Sequence, residues 1–344
     1  MAVQMTRGQK VLWWVLLALG ILLAIVAGTA LWAYRSLEGN IRTDHAAARE
    51  LREREAQRPR AGGGGKDGRN VLVIGHDAGS GTGNARSDTV LLLHVSADGR
   101  RAEAVHVPRD IVVDIPACGP EKEGEGQGEG QGEGEGQPEE GRRAQFNWAF
   151  QWGGAACTVR TFEALSGVRV DHHLVLGFEG FAEVVDAVGG VEVELDRAEH
   201  DPNVGHSLPA GRHLLDGEEA LAYVRARVHV GDGSDLNRLS RQQEFLALLY
   251  DRITERGTVT NPARLYPVLR AVTSALTADP GLDSLDELRG LAEDLRAVPE
   301  GGLSFRTLPT LPHPTEPDRL TLDAAAAGRV FAALIADRPL PREP

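Results

Sequence analysis

The chain lacks the motifs of several common function classes. No nucleic-acid-binding motif is present, and a net charge of −13 with an isoelectric point of about 5.4 disfavours a polyanionic partner such as DNA. The glycine-rich loop at 79–83 lacks the lysine and the hydroxyl residue that follow in a phosphate-binding P-loop. The histidines at positions 200, 206, 213 and 229 do not have the spacing of zinc ligands. DNA-binding regulators, P-loop enzymes and zinc enzymes are therefore poor candidates.

Cysteine is scarce, and long apolar runs are limited to one. The chain has two cysteines, and its single long uncharged run extends from Val11 to Tyr34 after a short tail at 1–10. About 20 apolar residues cross a bilayer as a helix. The run is too long for the apolar core of a cleaved signal peptide, which is the alternative interpretation, and no convincing small-residue cleavage site is present. We predict an uncleaved transmembrane helix over 11–34.

The segment 35–69 separates this run from the rest of the chain. Residues 38–58 are charged and contain alanine, which predicts a frayed helix, and the glycines at 62–65 predict a flexible joint. We therefore expect a stalk over 35–69 and one α/β domain over 70–340. Within that domain, the Gly-Glu-Gln tract of 119–143 has little apolar surface to bury and predicts a disordered surface insertion.

Two carboxylates lie at the ends of predicted strands. Apolar runs at 70–77, 86–93 and 102–107 read as buried strands. Asp77 ends the first strand and Asp88 lies near the start of the second. Hard oxygen ligands of this kind suit magnesium, which keeps several waters and bridges to substrate phosphates.

Arginine is concentrated in the segment 223–242 of this acidic chain, at positions 225, 227, 238 and 241. If 221–227 is extended, the side chains of Arg225 and Arg227 project to the same side. The planar guanidinium binds phosphate through two parallel hydrogen bonds. The alternative is a solvated basic face held by salt bridges within the chain. Arginines and a carboxylate pair together favour a pyrophosphate site.

A longer series of motifs occurs over roughly residues 70 to 250. In chain order its pieces are the strand with Gly75 and Asp77, Arg86-Ser-Asp88-Thr89, Val107-Pro-Arg109-Asp110, Ile115-Pro116, Phe146-Asn147-Trp148-Ala149 before Gly153-Gly154, Val170-Asp171-His172, Phe181 through Gly189-Gly190-Val191, Leu215 through Arg227, and Asp235 through Gln242. Each motif alone is weak, whereas the ordered series is specific. In this order the series resembles the LytR-CpsA-Psr family of cell-wall glycopolymer ligases.

The resemblance implies an αβα sandwich with a central mixed β-sheet flanked by helices, after one N-terminal transmembrane helix. Members of this family transfer a glycopolymer from an undecaprenyl-pyrophosphate carrier to peptidoglycan, so that a phosphodiester forms and the lipid monophosphate leaves. Their catalytic domain faces outward. The resemblance therefore implies a cell-membrane protein with a cytoplasmic tail, an extracellular domain and a magnesium cofactor, with manganese as the alternative ion.

The resemblance also assigns site residues. It implies Asp77 and Asp88 as metal ligands. It implies pyrophosphate contacts at Arg86, Arg109, Arg225, Arg227, Arg238 and Gln242. Of these, Arg109, Arg225 and Arg227 also count as catalytic, together with the two carboxylates. Phosphoryl transfer needs positioning and charge neutralisation more than a covalent nucleophile. Asp110 is a candidate general base by its proximity to Arg109, and Gln145 stands where many relatives have a lysine.

Other interpretations stay open at this point. A pyrophosphate hydrolase would use the same site with water as the attacking group, and a catalytically idle polyprenyl-phosphate-binding regulatory module would use it for binding alone. The apolar helix predicted at 178–188, and the apolar part at 265–276 of the helix predicted over 262–278, either line a tunnel for a polyprenyl chain or form ordinary core. An outward-facing domain favours a disulfide between Cys118 and Cys157, the alternative being two unrelated buried thiols.

Overall fold

The computed structural model of the chain describes residues 7–60, 68–77, 86–118, 141–226, 235–299, 301–316 and 319–341. This part of the chain contains ten α-helices, namely α1 (Arg7–Glu38), α2 (His45–Glu53), α3 (Trp148–Ser166), α4 (Phe178–Ala187), α5 (Gly217–Arg225), α6 (Asp235–Thr254), α7 (Arg256–Val259), α8 (Pro262–Ala275), α9 (Leu285–Ala297) and α10 (Ala324–Ile335). It also contains fifteen strands, namely β1 (Arg42–Thr43), β2 (Arg69–Asp77), β3 (Arg86–Val95), β4 (Ala102–Val107), β5 (Val112–Ile115), β6 (Arg142–Gln145), β7 (His172–Gly177), β8 (Val191–Leu195), β9 (Glu199–Asp201), β10 (His206–Leu208), β11 (Gly211–Leu215), β12 (Leu276–Ala278), β13 (Leu303–Thr307), β14 (Thr310–Pro312) and β15 (Leu320–Leu322).

Seven of these strands form a central mixed sheet in the order β1-β12-β7-β2-β3-β4-β13. The pairs β1–β12, β7–β2 and β4–β13 are parallel, and the other neighbours are antiparallel. Successive side chains of β2 point to opposite faces of the sheet. Leu72 and Ile74 therefore pack in one apolar cluster with α3 and α10, whereas Val71 packs in another with α9. Helices cover both faces, which confirms the αβα sandwich.

A third apolar cluster joins α4, α5, α6 and α8. Its centre includes Phe245 of α6, which is fully buried, and Val185 of α4. Phe245 lies near the aromatic rings of Phe181 and Tyr223, with ring centroids 5.6 Å and 5.9 Å away. This cluster fixes the helices that border the candidate site.

The N-terminal helix is long and apolar enough to cross a membrane. Its apolar part, Leu16–Glu38, has 23 residues, and its most apolar window is exposed. It agrees with the transmembrane helix predicted over 11–34.

The segment after α1 differs from the stalk expected over 35–69. Strand β1 pairs with β12 at the sheet edge, and α2 buries Ala47 and Leu51 against α3. Arg58 then forms a buried ion pair with Glu163, at 2.8 Å. Apolar positions within a charged sequence make this segment part of the domain, and the glycines expected to form a joint lie outside the described residues.

Helix α3 bends at two glycines, and the structure joins Cys118 to Cys157 beside the bend. The Cα atoms of the two cysteines are 5.5 Å apart. A Cβ atom on Gly153 would lie 2.7 Å from the Cβ of Cys157 and 2.9 Å from the Cβ of Cys118. Only glycine leaves room for the two cysteines here. Most of the tract predicted as an insertion at 119–143 lies outside the described residues, and its last two residues begin β6.

Candidate functional site

A β-bulge places Asp88 beside the end of β2. In the β2–β3 ladder Gly75 pairs with Thr89 and His76 pairs with Ser87, which leaves Asp88 as the additional residue of β3. Such a bulge bends the strand and redirects a side chain. The backbone of Asp77 pairs with that of Arg86 at the same end of the ladder. The structure therefore brings both predicted carboxylate positions to one end of the sheet.

Asp88 forms an ion pair with Arg109, which follows β4. The Nη1 atom of Arg109 donates to Oδ1 of Asp88 at 2.5 Å, and its Nε donates to Oδ2 of Asp110 at 3.4 Å. The side chains of Arg109 and Asp88 are about one fifth exposed. One arginine therefore links two carboxylates in a partly buried position that substrate can reach.

Gln145 completes this network. Its Nε2 donates to Oδ1 of Asp110 at 3.0 Å, and its Oε1 accepts from Nε1 of Trp148 at 3.3 Å. A lysine here would place a second cation against Asp110. The glutamine instead holds this carboxylate with a neutral group and leaves Arg109 as its charged neighbour.

Arg225 lies at the end of α5. The extended backbone considered for 221–227 does not occur in the residues up to Arg225, because Asp216 and Glu219 form a capping box that starts a helix. The guanidinium carbon of Arg225 lies 5.3 Å from the ring centroid of Phe178. Burial lowers the pKa of Arg225 below its ordinary value. A guanidinium that is partly stripped of water is well placed to bind an anion.

Two further residues of the arginine-rich segment have different surroundings. Arg241 is buried, donates to the carbonyl oxygen of Ala226 at 2.9 Å and pairs with Glu199 at 3.5 Å. It is therefore a structural residue, consistent with its absence from the predicted site. Gln242 donates to the carbonyl oxygen of Val224 at 3.2 Å and lines the same cavity as Arg225.

An apolar cavity of about 250 Å³ opens next to these groups. It lies between β2, α4, α6 and α8, and its polar side chains are those of Thr89, Arg225 and Gln242. The remaining lining is apolar or glycine, at Gly75, Leu176, Gly177, Phe178, Gly180, Phe181, Val184, Val224, Leu246, Leu249, Val272 and Ala275. Thr89 is adjacent in sequence to Asp88, so one residue of the cavity wall neighbours the carboxylate site.

Four predicted site residues are only partly or not at all described. The side chains of Asp77, Arg86 and Arg238 lie outside the described part of the structure, as does the whole of Arg227. The described geometry therefore joins Asp88 to Arg109 by an ion pair and places Arg225 and Gln242 on the wall of one cavity.

A magnesium ion is compatible with this arrangement. Among the described residues no three His, Cys, Asp or Glu side chains form a metal-binding group. Magnesium needs fewer protein ligands, since it is commonly held by one or two carboxylates with waters and phosphates. Asp88 supplies one carboxylate, and the backbone pairing places Asp77 two ladder positions away.

Sequence reasoning missed the contact of Gln145 and the place of Thr89 in the cavity wall. The sequence marks Gln145 only as a missing cation, whereas its side chain positions Asp110. Thr89 belongs to the motif Arg86-Ser-Asp88-Thr89, but the motif does not show that its side chain lines the cavity. Phe178 begins the apolar helix predicted at 178–188 and lines the cavity.

Comparison with known proteins agrees with these observations. The model of the LytR_cpsA_psr family matches residues 36–322. "Cell wall biosynthesis protein LcpA" of Corynebacterium glutamicum is 34% identical over 229 residues, which are 66% of this chain and 43% of that protein. "Polyisoprenyl-teichoic acid--peptidoglycan teichoic acid transferase TagT" of Bacillus subtilis is 30% identical over 258 residues, 72% of each protein. The solved structure "TagT bound to LIIa-WTA" is similar with a TM-score of 0.54 and 26% identity, covering 81% of this chain and 93% of that one.

The chain spans about half the length of the corynebacterial relatives that it matches, 43% of LcpA and 54% of the probable cell wall biosynthesis protein LcpB. The family model nevertheless covers the segment from the end of α1 to β15, which includes every described site residue. The chain belongs to the LytR-CpsA-Psr family.

Proposed function

We propose that this protein is a magnesium-dependent phosphotransferase that moves a glycopolymer from a polyprenyl-pyrophosphate carrier to peptidoglycan. The observation that carries the proposal is the junction of an apolar cavity with a charged site. Arg225 and Gln242 lie on the wall of the cavity, and Thr89, which also lines it, follows Asp88 directly in the chain. Asp88 in turn pairs with Arg109. A substrate with a long hydrocarbon tail and a pyrophosphate head fits both parts.

The names of two relatives support the same substrate class. TagT of Bacillus subtilis is named as a transferase of teichoic acid from a polyisoprenyl carrier to peptidoglycan. TagU of Enterococcus faecalis, which is 27% identical over 230 residues, bears the same activity name as TagT. The polymer that this chain transfers is not specified by these names.

The chain's own residues supply positioning and charge. Arg225 binds the pyrophosphate beside the cavity, and Arg109 exchanges its contact with Asp88 for one with a phosphate oxygen. Asp77 and Asp88 would hold a magnesium ion, which would supply positive charge to the phosphate oxygens and the leaving group. Arg86, Arg227 and Arg238 supply the remaining pyrophosphate contacts in this proposal.

The transfer step conserves all atoms. An acceptor hydroxyl oxygen on peptidoglycan attacks the phosphorus that bears the sugar, and the bond between this phosphorus and the bridging oxygen breaks. The bridging oxygen and its electron pair leave with the lipid monophosphate. The hydroxyl proton passes to Asp110, which Gln145 holds in place through a hydrogen bond from its Nε2 atom.

The acceptor also defines the location of the domain. Peptidoglycan lies outside the cell membrane, so the proposal requires an extracellular domain, a single membrane-spanning helix and a cytoplasmic tail at 1–10. The apolar helix α1 meets this requirement in length and composition.

The test uses the full-length protein in detergent with a synthetic polyprenyl-pyrophosphate glycan, magnesium and peptidoglycan oligomers. Mass spectrometry of the products is expected to show glycan joined to peptidoglycan through a phosphodiester. Free glycan phosphate as the sole product would identify a hydrolase, and the absence of turnover would identify a binding module. Either of these two results would contradict the proposal.

A further inference from the structure

Helix α8 packs along the C-terminal end of α1. The rings of Trp32 and Tyr266 stack with centroids 5.8 Å apart, and Oη of Tyr266 donates to Oγ of Ser36 at 3.2 Å. Further along both helices, Nδ2 of Asn40 donates to Oγ1 of Thr273 at 3.5 Å. The contacts thus occur in the same order along both segments, from position 32 to 40 in one and from 266 to 273 in the other. The two helices run side by side in the same direction.

This parallel arrangement determines which end of α8 points toward the bilayer. The apolar run of α1 from Val11 to Tyr34 rises about 36 Å as a helix, against about 30 Å for the hydrocarbon core. Its last turn, which includes Trp32, therefore lies at the membrane interface, where tryptophan and tyrosine are enriched. Tyr266 lies at the same level as Trp32. The first turn of α8, starting at Pro262, extends about 6 Å further toward the lipid.

A second contact joins α1 to the start of α9. Oη of Tyr34 donates to Oδ2 of Asp286, at the start of α9, at 3.3 Å. Leu37 and Ile41, just above, are buried in the domain. The domain is therefore held to α1 from two sides, with its α7 and α8 end directed at the membrane surface.

The charge of this end differs from that of the chain. Residues 252–264, with the sequence RITERGTVTNPAR, contain three arginines and one glutamate, in a chain of net charge −13. Helix α8 contains two arginines and no acidic residue. Arg264 is exposed in its first turn, whereas Arg252 pairs with Glu255 at 2.9 Å. An exposed arginine at this level matches phospholipid headgroups.

We propose that residues 252–264 form a docking tip that contacts the phospholipid headgroups and fixes the height of the domain above the membrane. The tip belongs to the same helices, α6 and α8, that wall the apolar cavity. Headgroup contact therefore holds the cavity at a constant distance from the bilayer from which a lipid-linked substrate is drawn. This inference rests on the membrane attachment included in the proposed function.

The test compares two positions on α8 in the full-length protein. Because both cysteines of the chain are joined to each other, a thiol label attaches only to an introduced cysteine. Ala263→Cys lies in the tip, and Ser274→Cys lies about 16 Å further from the membrane along the same helix. Each variant receives a nitroxide label in vesicles of phosphatidylglycerol and phosphatidylcholine that contain a small fraction of nickel-chelating lipid.

The nickel lies at headgroup level and relaxes nearby spin labels. We expect several-fold stronger relaxation at position 263 than at position 274, and weaker relaxation at 263 when Arg264→Glu is added. Equal relaxation at both positions in protein that floats with the vesicles would overturn the docking tip. Failure to float would overturn the membrane attachment and the docking tip together. Neither relaxation nor flotation depends on transfer activity. A failure of the proposed chemistry would therefore leave both readouts unchanged.

Discussion

Arg109 holds Asp88 in an ion pair at the end of the β2–β3 ladder, although the two residues are expected to serve different parts of the substrate complex. The same guanidinium also contacts Asp110. The arginine pairs with the carboxylate that is expected to bind magnesium. Binding of the metal and the pyrophosphate together would release Asp88 to the metal and Arg109 to the phosphate. This exchange links metal binding to substrate binding.

Asp88→Asn is expected to reduce transfer by orders of magnitude, because the amide keeps the size of the side chain but lacks the charge that holds magnesium. Loss of the partly exposed pair with Arg109 should lower the free energy of unfolding by only about 1 kcal/mol or less. The measurement is the transfer rate as a function of magnesium concentration.

The matched control for this variant is Asp114→Asn. The side chain of Asp114 is 83% exposed, and its contact with Arg143 is 4.0 Å long. This control should transfer at the normal rate. Normal turnover of Asp88→Asn at limiting magnesium would remove Asp88 from the metal site.

Arg225→Lys should weaken binding of a polyprenyl pyrophosphate at least about tenfold, or roughly 1.4 kcal/mol. The lysine keeps the charge but loses the two parallel hydrogen bonds and the stacking on Phe178. We expect losses of the same size for Arg227→Lys and Arg238→Lys. Calorimetric titration of each protein in detergent measures the affinity.

Arg289→Lys is the control for these titrations. Arg289 lies on α9 in exposed ion pairs with Asp286 and Glu293, and exposed pairs contribute only about 0 to 1 kcal/mol. It should bind with wild-type affinity. If all three site variants also bind normally, the arginines belong to a solvated surface and the pyrophosphate site is refuted.

The bond between Cys118 and Cys157 closes a loop with a sequence separation of 39. In the chain-entropy account such a loop stabilises the folded domain by about 3 to 4 kcal/mol. Reduction should therefore lower the melting temperature markedly, and the double variant with serine at both positions should melt at the same temperature with or without reductant. Intact-mass analysis of protein from the cell surface counts the thiols. Two free thiols there would contradict the disulfide.

Asp279 is expected to make stability depend on pH. Burial raises the pKa of this carboxyl, but hydrogen bonds from His172, Gly281 and His173 outweigh it, so the pKa lies below the ordinary value of 3.8. The backbone donors of His173 and Gly281 are 2.8 Å and 2.7 Å away. Because the folded pKa is the lower one, the stabilisation is present above about pH 4 and is lost as pH falls further.

Asp279→Asn should therefore be less stable than wild type by about 1 to 2 kcal/mol at neutral pH. The difference should shrink as pH falls below about 4. Urea unfolding at several pH values measures it. A difference that is constant over this range would show that the carboxylate charge is not the cause.

Much of the fold follows from local sequence patterns. The apolar runs of β2, β3 and β4 are continuous, which is typical of strands buried on both faces. The helix α5 also had a readable signal, because Asp216 and Glu219 have the spacing of a capping box. That signal was overlooked in favour of the alternating arginines.

Other features depend on contacts between distant parts of the chain. The helix predicted over 262–278 ends at Ala275, because Leu276 to Ala278 pair with β7 at the sheet edge. Nothing local stops the helix there, so tertiary pairing overrides propensity. The bulge at Asp88 arises from the register with β2, and the role of Gln145 arises from its contact with Asp110, 35 residues earlier. Neither is visible in a single segment.

The position of the phosphorus after reaction tests the central claim most directly. The donor is a polyprenyl-pyrophosphate glycan with radiolabelled phosphorus next to the sugar, incubated with the full-length protein, magnesium and peptidoglycan oligomers. The proposed phosphotransfer predicts that the label appears in the glycan–peptidoglycan product and that unlabelled lipid monophosphate is released. Label that stays with the lipid, or that is released as free glycan phosphate, would contradict it.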